Sequence, residues 1–297
     1  LPGFSKAEIV RPAYAIEYDC LDPTSLQPSL ETKTIKNLYT AGQINGTSGY
    51  EEAAAQGLIA GINAVRDLQG EDPLILKRSE AYIGVLIDDL VTQGTNEPYR
   101  MLTSRAEHRL VLRQDNADLR LTELGFQLGL ISERRFNSFK AKQEAIDKEK
   151  DRLRNTKLSP SNESVQQHLE SLDSARITKK DNLARLIKRP ELDYQSLAAI
   201  DPNRPNLPQA VTEEVEIQLK YEGYIQKQRK QIEKQKELEN KKLPDDLDYQ
   251  EIEGLRLEAQ EKLEKIQPVS IGQASRISGV SPADISVLTV HLEKLTK

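Results

Sequence analysis

Tryptophan is absent from these 297 residues, and cysteine and methionine occur once each. A lone cysteine, Cys20, forms neither an internal disulfide nor a four-cysteine zinc site, so the chain suits a reducing cytoplasm. Only three histidines are present, and His108, His168 and His291 lie too far apart to show metal-ligand spacing, so no metal site is expected. No apolar run approaches the roughly 18 to 20 residues that span a bilayer, which excludes a membrane-spanning helix. The start, Leu1-Pro2-Gly3-Phe4, lacks a signal-peptide layout. Positive charge is not in excess either. Lys plus Arg number 42 against 47 acidic residues, net −5, so any nucleic-acid contact must come from a local patch. None of the 15 glycines has another two positions away, so the G-x-G-x-x-G dinucleotide fingerprint is missing.

What remains is a composition of 37% hydrophobic and 30% charged residues with a mean hydropathy of −0.61, which fits a core-forming chain rich in exposed helix. The only methionine is the internal Met101, so the chain is read as part of a longer protein. Residues 1–75 read as alternating strand and helix and carry five basic and ten acidic residues, the whole net charge of the chain. Strands are expected at 13–18 and 37–41, where aromatic and β-branched residues gather. A glycine loop, Gly42 to Gly49, then leads into a helix over 50–68. Residues 76–125 form a mixed α/β connecting region with an arginine-rich segment, and 126–297 read as helical. Within the latter, 134–154 is a charged helix and 162–206 a set of short helices and loops. A single long helix over 212–241 should bury a narrow stripe of Val215, Leu219, Ile225 and Ile232. Ser281 and Pro282 are placed as N-cap and first residue of the last helix.

Two segments carry chemical signals. Glycines after a strand let backbone approach a ligand, and the free N–H groups of the following helix favour an electron-rich partner. Ala53, Gly57, Gly61 and Ala64 give that helix a face with almost no side chain. A second wall of a cofactor site and ordinary helix-on-sheet packing both satisfy these features. The other signal is the series Arg100, Arg105, Arg109 and Arg113 with Arg120 after it, whose planar forks suit phosphates. Glu97, Glu107, Asp115 and Asp118 equally offer to absorb these arginines as salt bridges. Cys20 among Glu17, Asp19 and Asp22 reads as structural, and the interleaved charges of 220–242 as a solvated helix face.

Read together, several ordered blocks resemble the MnmG (GidA) family of tRNA wobble-uridine modification enzymes. They are Arg11 to Asp19, Ala41-Gly42-Gln43-Ile44-Asn45-Gly46-Thr47 through Gly57, Glu97-Pro98-Tyr99-Arg100 through Thr122, Lys220-Tyr221-Glu222-Gly223-Tyr224-Ile225, and Ser270-Ile271-Gly272-Gln273 through Gly279. The resemblance implies the C-terminal half of such a protein: the α/β end of a glutathione-reductase-type FAD domain followed by a mostly α-helical C-terminal region. It implies a homodimeric flavoprotein that works with an MnmE-family GTPase. Its product is an aminomethyl or carboxymethylaminomethyl group at C5 of the tRNA wobble uridine. FAD, NADH as reductant and methylene-tetrahydrofolate as carbon donor are the implied cofactors. By the same resemblance Gly42, Gln43, Asn45, Gly46, Gly49, Tyr50 and Glu51 bind the cofactor, and Arg100, Arg105, Arg109 and Arg113 contact tRNA. Tyr221, Tyr224, Ile271 and Arg276 meet the partner. The family's catalytic cysteines fall upstream, so no catalytic residue is expected in this segment, and the chain alone is expected to be inactive. Two other readings are an RNA- or partner-docking scaffold without redox chemistry and a flavoprotein reductase unrelated to RNA.

Overall fold

The computed structural model describes residues 2–3, 6–8, 10–13, 17–244 and 247–295. In chain order the helices are α1 (Tyr50–Leu68), α2 (Tyr82–Gln93), α3 (Ala117–Gln127), α4 (Glu133–Asn155), α5 (Glu163–Ser171), α6 (Leu183–Leu186), α7 (Gln209–Lys220), α8 (Glu222–Asn240), α9 (Leu257–Ile266), α10 (Ile271–Ala274) and α11 (Pro282–Leu295). The only ladder among the described residues is antiparallel, pairing β1 (Lys157–Leu158) with β2 (Asp181–Asn182) in the register Lys157 to Asn182 and Leu158 to Asp181. None of these helices is long and apolar enough to cross a membrane.

The chain folds into two compact units, one of residues 1–76, 83–102 and 242–297, the other of 77–82 and 103–241. These units regroup the contiguous regions expected from sequence, because polar side chains tie the last segment to the first. Lys33 Nζ donates to the Ile266 carbonyl at 2.6 Å, and Lys265 pairs with Asp22 at 3.0 Å. In this unit Leu26, Leu30, Ile59, Ile87 and Val91 form one apolar cluster, and Tyr249, Leu263, Ile271 and Leu288 belong to another. Tyr249 is fully buried and its hydroxyl has no hydrogen-bond partner among the described residues. Tyr249→Phe is therefore expected to hold or raise stability by about 1 kcal/mol, since an unpaired buried hydroxyl costs about that much. Urea denaturation checks this, and a loss of stability would mean the hydroxyl is paired after all.

Of the two expected strands, the one at 37–41 forms no ladder, and the one at 13–18 falls partly outside the described residues. Residues 14–16 lie outside the described residues, and 37–41 contributes one isolated bridge, Glu31 to Tyr39. Asn37 adopts φ 63°, a left-handed turn that interrupts extension, and aromatic composition makes a strand only where a neighbour completes the ladder. Cys20, read as structural, is free and exposed.

The second unit is helical, as expected of the C-terminal region. α4 carries Glu133 in its first turn and Arg152 and Arg154 in its last, matching the helix dipole at both ends. Its buried residues Phe139, Ile146, Glu149 and Leu153 recur at helical spacing. Phe136 stacks on Phe126 of α3 with ring centroids 4.0 Å apart. The long helix expected over 212–241 is two, α7 and α8, broken at Tyr221 (φ −94°, ψ 2°). The break falls beside Gly223, a poor helix former, while the Glu222 side chain is held by Lys188 and Arg154. At the C-terminus Asp284 Oδ2 accepts from the Ser281 N–H and hydroxyl at 2.8 and 2.7 Å, which fixes the predicted start of α11.

Candidate functional site

The glycine loop is built around one side chain on α1. Glu52, Gln56, Ile59, Ala60 and Asn63 make the buried face of that helix. Gln56 is fully buried and uses both ends of its amide: Oε1 accepts from the Gly42 N–H at 3.1 Å and Asn45 Nδ2 at 2.8 Å, and Nε2 donates to Thr47 Oγ1 at 3.0 Å and the Glu52 carbonyl at 3.2 Å. Asn45 Nδ2 also donates to the Thr40 carbonyl, and Asn45 Oδ1 accepts from the Thr40 hydroxyl at 2.7 Å. Gly42 and Gly46 need their left-handed backbone, with φ of 84° and 81°. A Cβ on Gly46 would lie 2.5 Å from Thr95 Cγ2. The Tyr99 N–H donates to the Gly46 carbonyl at 2.8 Å, which fastens the loop to the following segment.

The expected cofactor set divides between the interior and the surface of the loop. Asn45 is buried, and its side-chain amide is engaged within the loop by Thr40 and Gln56. Gly42 and Gly46 are buried and shape the turn, and the Glu52 carboxylate lies over Gly49, where a Cβ would sit 1.7 Å from Oε2. Gln43, Tyr50 and Glu51 are the expected residues that remain exposed, Tyr50 at 93%. Glu52 Oε1 accepts from the Met101 N–H at 2.8 Å, whereas Oε2 is buried without a hydrogen-bond partner among the described residues. The Gln43 side chain and the start of α1 at Tyr50 and Glu51 are exposed and offer hydrogen-bonding groups, whereas Glu52 Oε2 is enclosed beneath them. The two carboxylates at Glu51 and Glu52 offset the partial charge of about +0.5 at the helix start.

The arginine series is divided between the two units. Arg100 belongs to the first unit, with Nε 3.7 Å from Glu52 Oε1, while the other three belong to the second. Arg109 is exposed, and Arg105 is half-buried. Arg113 is already engaged: Nε and Nη2 donate to Asp115 at 3.0 and 2.9 Å, and Nη1 donates to the Leu110 carbonyl at 2.8 Å. Glu107 takes Arg78 and Asp118 takes Lys142, so the local acids absorb cations from outside the series as well. Among the expected partner residues Tyr221 and Tyr224 are exposed at 46% and 65%. Ile271 is fully buried in the apolar cluster around Tyr249, so it presents no surface to a partner. Arg276 is held by Asp88 in two bonds of 2.7 and 2.8 Å. His108 is buried, and burial lowers its pKa, which marks a packed neutral imidazole. No cluster of three or more His, Cys, Asp or Glu suited to a metal occurs among the described residues.

Family models match along most of this chain. The model for glucose inhibited division protein A covers residues 1–72, and that for the tRNA modifying enzyme MnmG/GidA C-terminal helical domain covers 133–229. The model for the MnmG/GidA C-terminal helical bundle covers 231–297. Proteins of Caldicellulosiruptor saccharolyticus and Clostridium novyi, both named tRNA uridine 5-carboxymethylaminomethyl modification enzyme MnmG, are 60% identical to this chain over 99% and 100% of its length. The chain belongs to the MnmG/GidA family. It spans about half the length of the curated relatives it matches, 47% of each of these two. Among solved structures, Aquifex aeolicus GidA superposes with a TM-score of 0.83 at 47% identity, covering 95% of this chain and 44% of that one.

For a member of the MnmG/GidA family, the residues that sequence reasoning missed are Gln56 and Glu52, which hold the loop from within. Their signal was present, because Glu52, Gln56 and Asn63 put three polar side chains on one face of a helix that otherwise offers small or apolar residues. Asn63 repeats the device, accepting from the Leu74 N–H at 2.6 Å and donating to the Ser29 and Leu74 carbonyls.

Proposed function

We propose that the chain is the C-terminal part of an FAD-dependent tRNA-modifying enzyme. With a partner GTPase of the MnmE family, this enzyme adds an aminomethyl or carboxymethylaminomethyl group at C5 of the wobble uridine. The observation that carries the reading is the 60% identity, over nearly the whole chain, to relatives named for that uridine modification. When bound, FAD supplies redox chemistry driven by NADH on a carbon delivered by methylene-tetrahydrofolate. The residues here that would hold it are Gln43, Tyr50 and Glu51 on the exposed side of the loop. Gln56 and Asn45 position that loop without touching the ligand. Arg109 is exposed and has no ion-pair partner among the described residues, whereas the exposed Arg100 lies 3.7 Å from Glu52, so Arg109 is the member of the series best placed to meet an RNA phosphate, and Tyr221 and Tyr224 offer an aromatic surface for the GTPase. Homodimerisation and a cytoplasmic setting complete the reading.

Purification of the complete protein tests it. Yellow flavin absorbance should co-elute with the protein, and Gln43→Ala should weaken flavin retention after gel filtration without moving the elution volume or the thermal midpoint. Full retention in the variant contradicts the role of Gln43. A colourless wild-type protein would favour the docking-scaffold reading instead.

A further inference from the structure

The second unit holds a cavity of about 320 Å³ that the assignments above leave unused. Four helices bring one face each to it. α4 supplies Lys150 and Arg154, α7 supplies Glu214 and Gln218, both pairs at i,i+4, and α8 supplies Glu222, Ile225, Gln226 and Arg229 along one stripe. Asn116 caps α3, and Leu119 and Arg120 follow within that helix, while Val111 and Arg113 come from the preceding turn. Five cations and two carboxylates thus line the cavity.

Both carboxylates already have partners. Glu222 is paired with Arg154 at 2.9 Å and Lys188 at 2.6 Å. Glu214 accepts from Gln218 Nε2 at 2.8 Å and lies 3.4 Å from Arg113 Nη2, while Gln218 Oε1 accepts from Lys150 at 2.7 Å. Burial and the adjacent Asp115 push the Glu214 carboxyl up to about 7, so it adds less than a full negative charge near neutrality. Two cations are left over. Arg120 donates to Asn116 Oδ1 at 2.9 Å, to the Arg113 carbonyl at 3.2 Å and to the Glu80 carbonyl, all neutral oxygens. Burial and the nearby Arg113 push its pKa down, more than Asp115 raises it. Arg229 is exposed, and neither it nor the Gln226 amide has a partner among the described residues.

We propose that this cavity binds a phosphate ester, with Arg120 and Arg229 supplying the charge, Gln226 a further donor, and Val111, Leu119 and Ile225 the apolar wall. Arginine forks suit tetrahedral oxyanions, and a half-buried guanidinium bonded only to neutral oxygens, with an unpaired one lining the same cavity, favours an anion between them. At about 320 Å³ the cavity sits near the small end of ligand sites, roughly 300 to 1,000 Å³, with room for a phosphate and the sugar that carries it. Where that ester belongs to an RNA backbone, the inference rests on the tRNA reading above.

Two measurements on the full chain test it. Arginine Nε–H resonances are followed by NMR during titration with inorganic phosphate, with ionic strength held constant by potassium chloride. Arg120 and Arg229 should shift saturably, and Arg229→Gln should weaken binding about tenfold, the worth of one charge-assisted hydrogen bond. Arg135→Gln, an exposed arginine at the start of α4, should change nothing. Linear shifts equal to those caused by chloride, or saturation untouched by Arg229→Gln, overturn the site. In the second measurement, tRNA affinity is recorded against salt. A slope reduced by about 0.7 to 0.9 in Arg229→Gln identifies an RNA phosphate as occupant. An unchanged slope, with phosphate binding lost, supports the site for a small phosphate-bearing molecule. Saturable phosphate binding in a protein that fails to bind tRNA at any salt leaves this site standing and removes the tRNA reading.

Discussion

Gln56→Leu should destabilise the protein by about 3 to 5 kcal/mol and open the glycine loop. The substitution nearly preserves volume but strands the Gly42 N–H, one of the two Asn45 Nδ2 protons and the Thr47 hydroxyl in a buried setting, at about 1 to 3 kcal/mol for each unpaired group. The hydroxyl can turn to another acceptor, so the total falls below the sum. Gln56→Glu separates the two ends of the amide. Its carboxylate keeps the acceptor side toward Gly42 and Asn45 but loses both donations, to Thr47 and to the Glu52 carbonyl. It should therefore lie between wild type and Gln56→Leu. Hydrogen exchange over residues 40–49 is the direct readout, together with flavin retention in the complete protein. Wild-type protection of that segment in Gln56→Leu would mean that the loop is held by something other than this amide.

The second large effect is expected in the other unit. Arg152 on α4 meets two carboxylates that are 2 to 3% exposed: Nη2 and Nε bond Glu149 at 2.7 and 2.8 Å, and Nη2 and Nη1 bond Asp201 at 2.5 and 3.0 Å. Tyr194 adds a hydroxyl donated to Glu149 Oε1 at 2.8 Å. These bonds, with Glu149 first and Asp201 next, hold the guanidinium pKa above its ordinary value. Arg152→Met leaves two buried carboxylates without their cation and should cost about 3 to 5 kcal/mol. Arg152→Lys should recover only part of this, because one ammonium cannot fork to both partners. Urea denaturation gives the magnitude, and hydrogen exchange the location: protection should fall across α4 and 194–201 and hold in α1. A variant within about 0.5 kcal/mol of wild type would place this network among ion pairs that contribute little, as exposed ones do.

How far the sequence foretells this molecule depends on how local the determining physics is. The helix over 50–68 and the start of α11 at Pro282 were legible, because small-residue periodicity and a Ser-Pro cap act within a few residues. The strand expected at 37–41 was not, since a strand depends on a neighbour that composition cannot supply, and Asn37 turns the chain instead. The break at Tyr221 was hidden for a related reason: Gly223 signals a weak point, but Arg154 and Lys188, far away in sequence, grip the adjoining Glu222. The loop site was half legible. Its glycines and the exposed Gln43 stood out, whereas Asn45 and Ile271 looked like contact residues from their motifs and proved to be interior ones. Motif membership marks a residue as needed without saying whether it faces a ligand or the core. The balance of charge in the cavity of the second unit was likewise beyond sequence, because which acids absorb which arginines is settled by distance.

The central claim, that this chain serves in wobble-uridine modification, is tested most directly by mass spectrometry of nucleosides from total tRNA. Cells with and without the complete gene are compared, and the gene is then restored. The account predicts that C5-aminomethyl-type wobble uridines disappear on deletion and return on complementation. An unchanged nucleoside profile, in cells with no second copy of the gene, would contradict it.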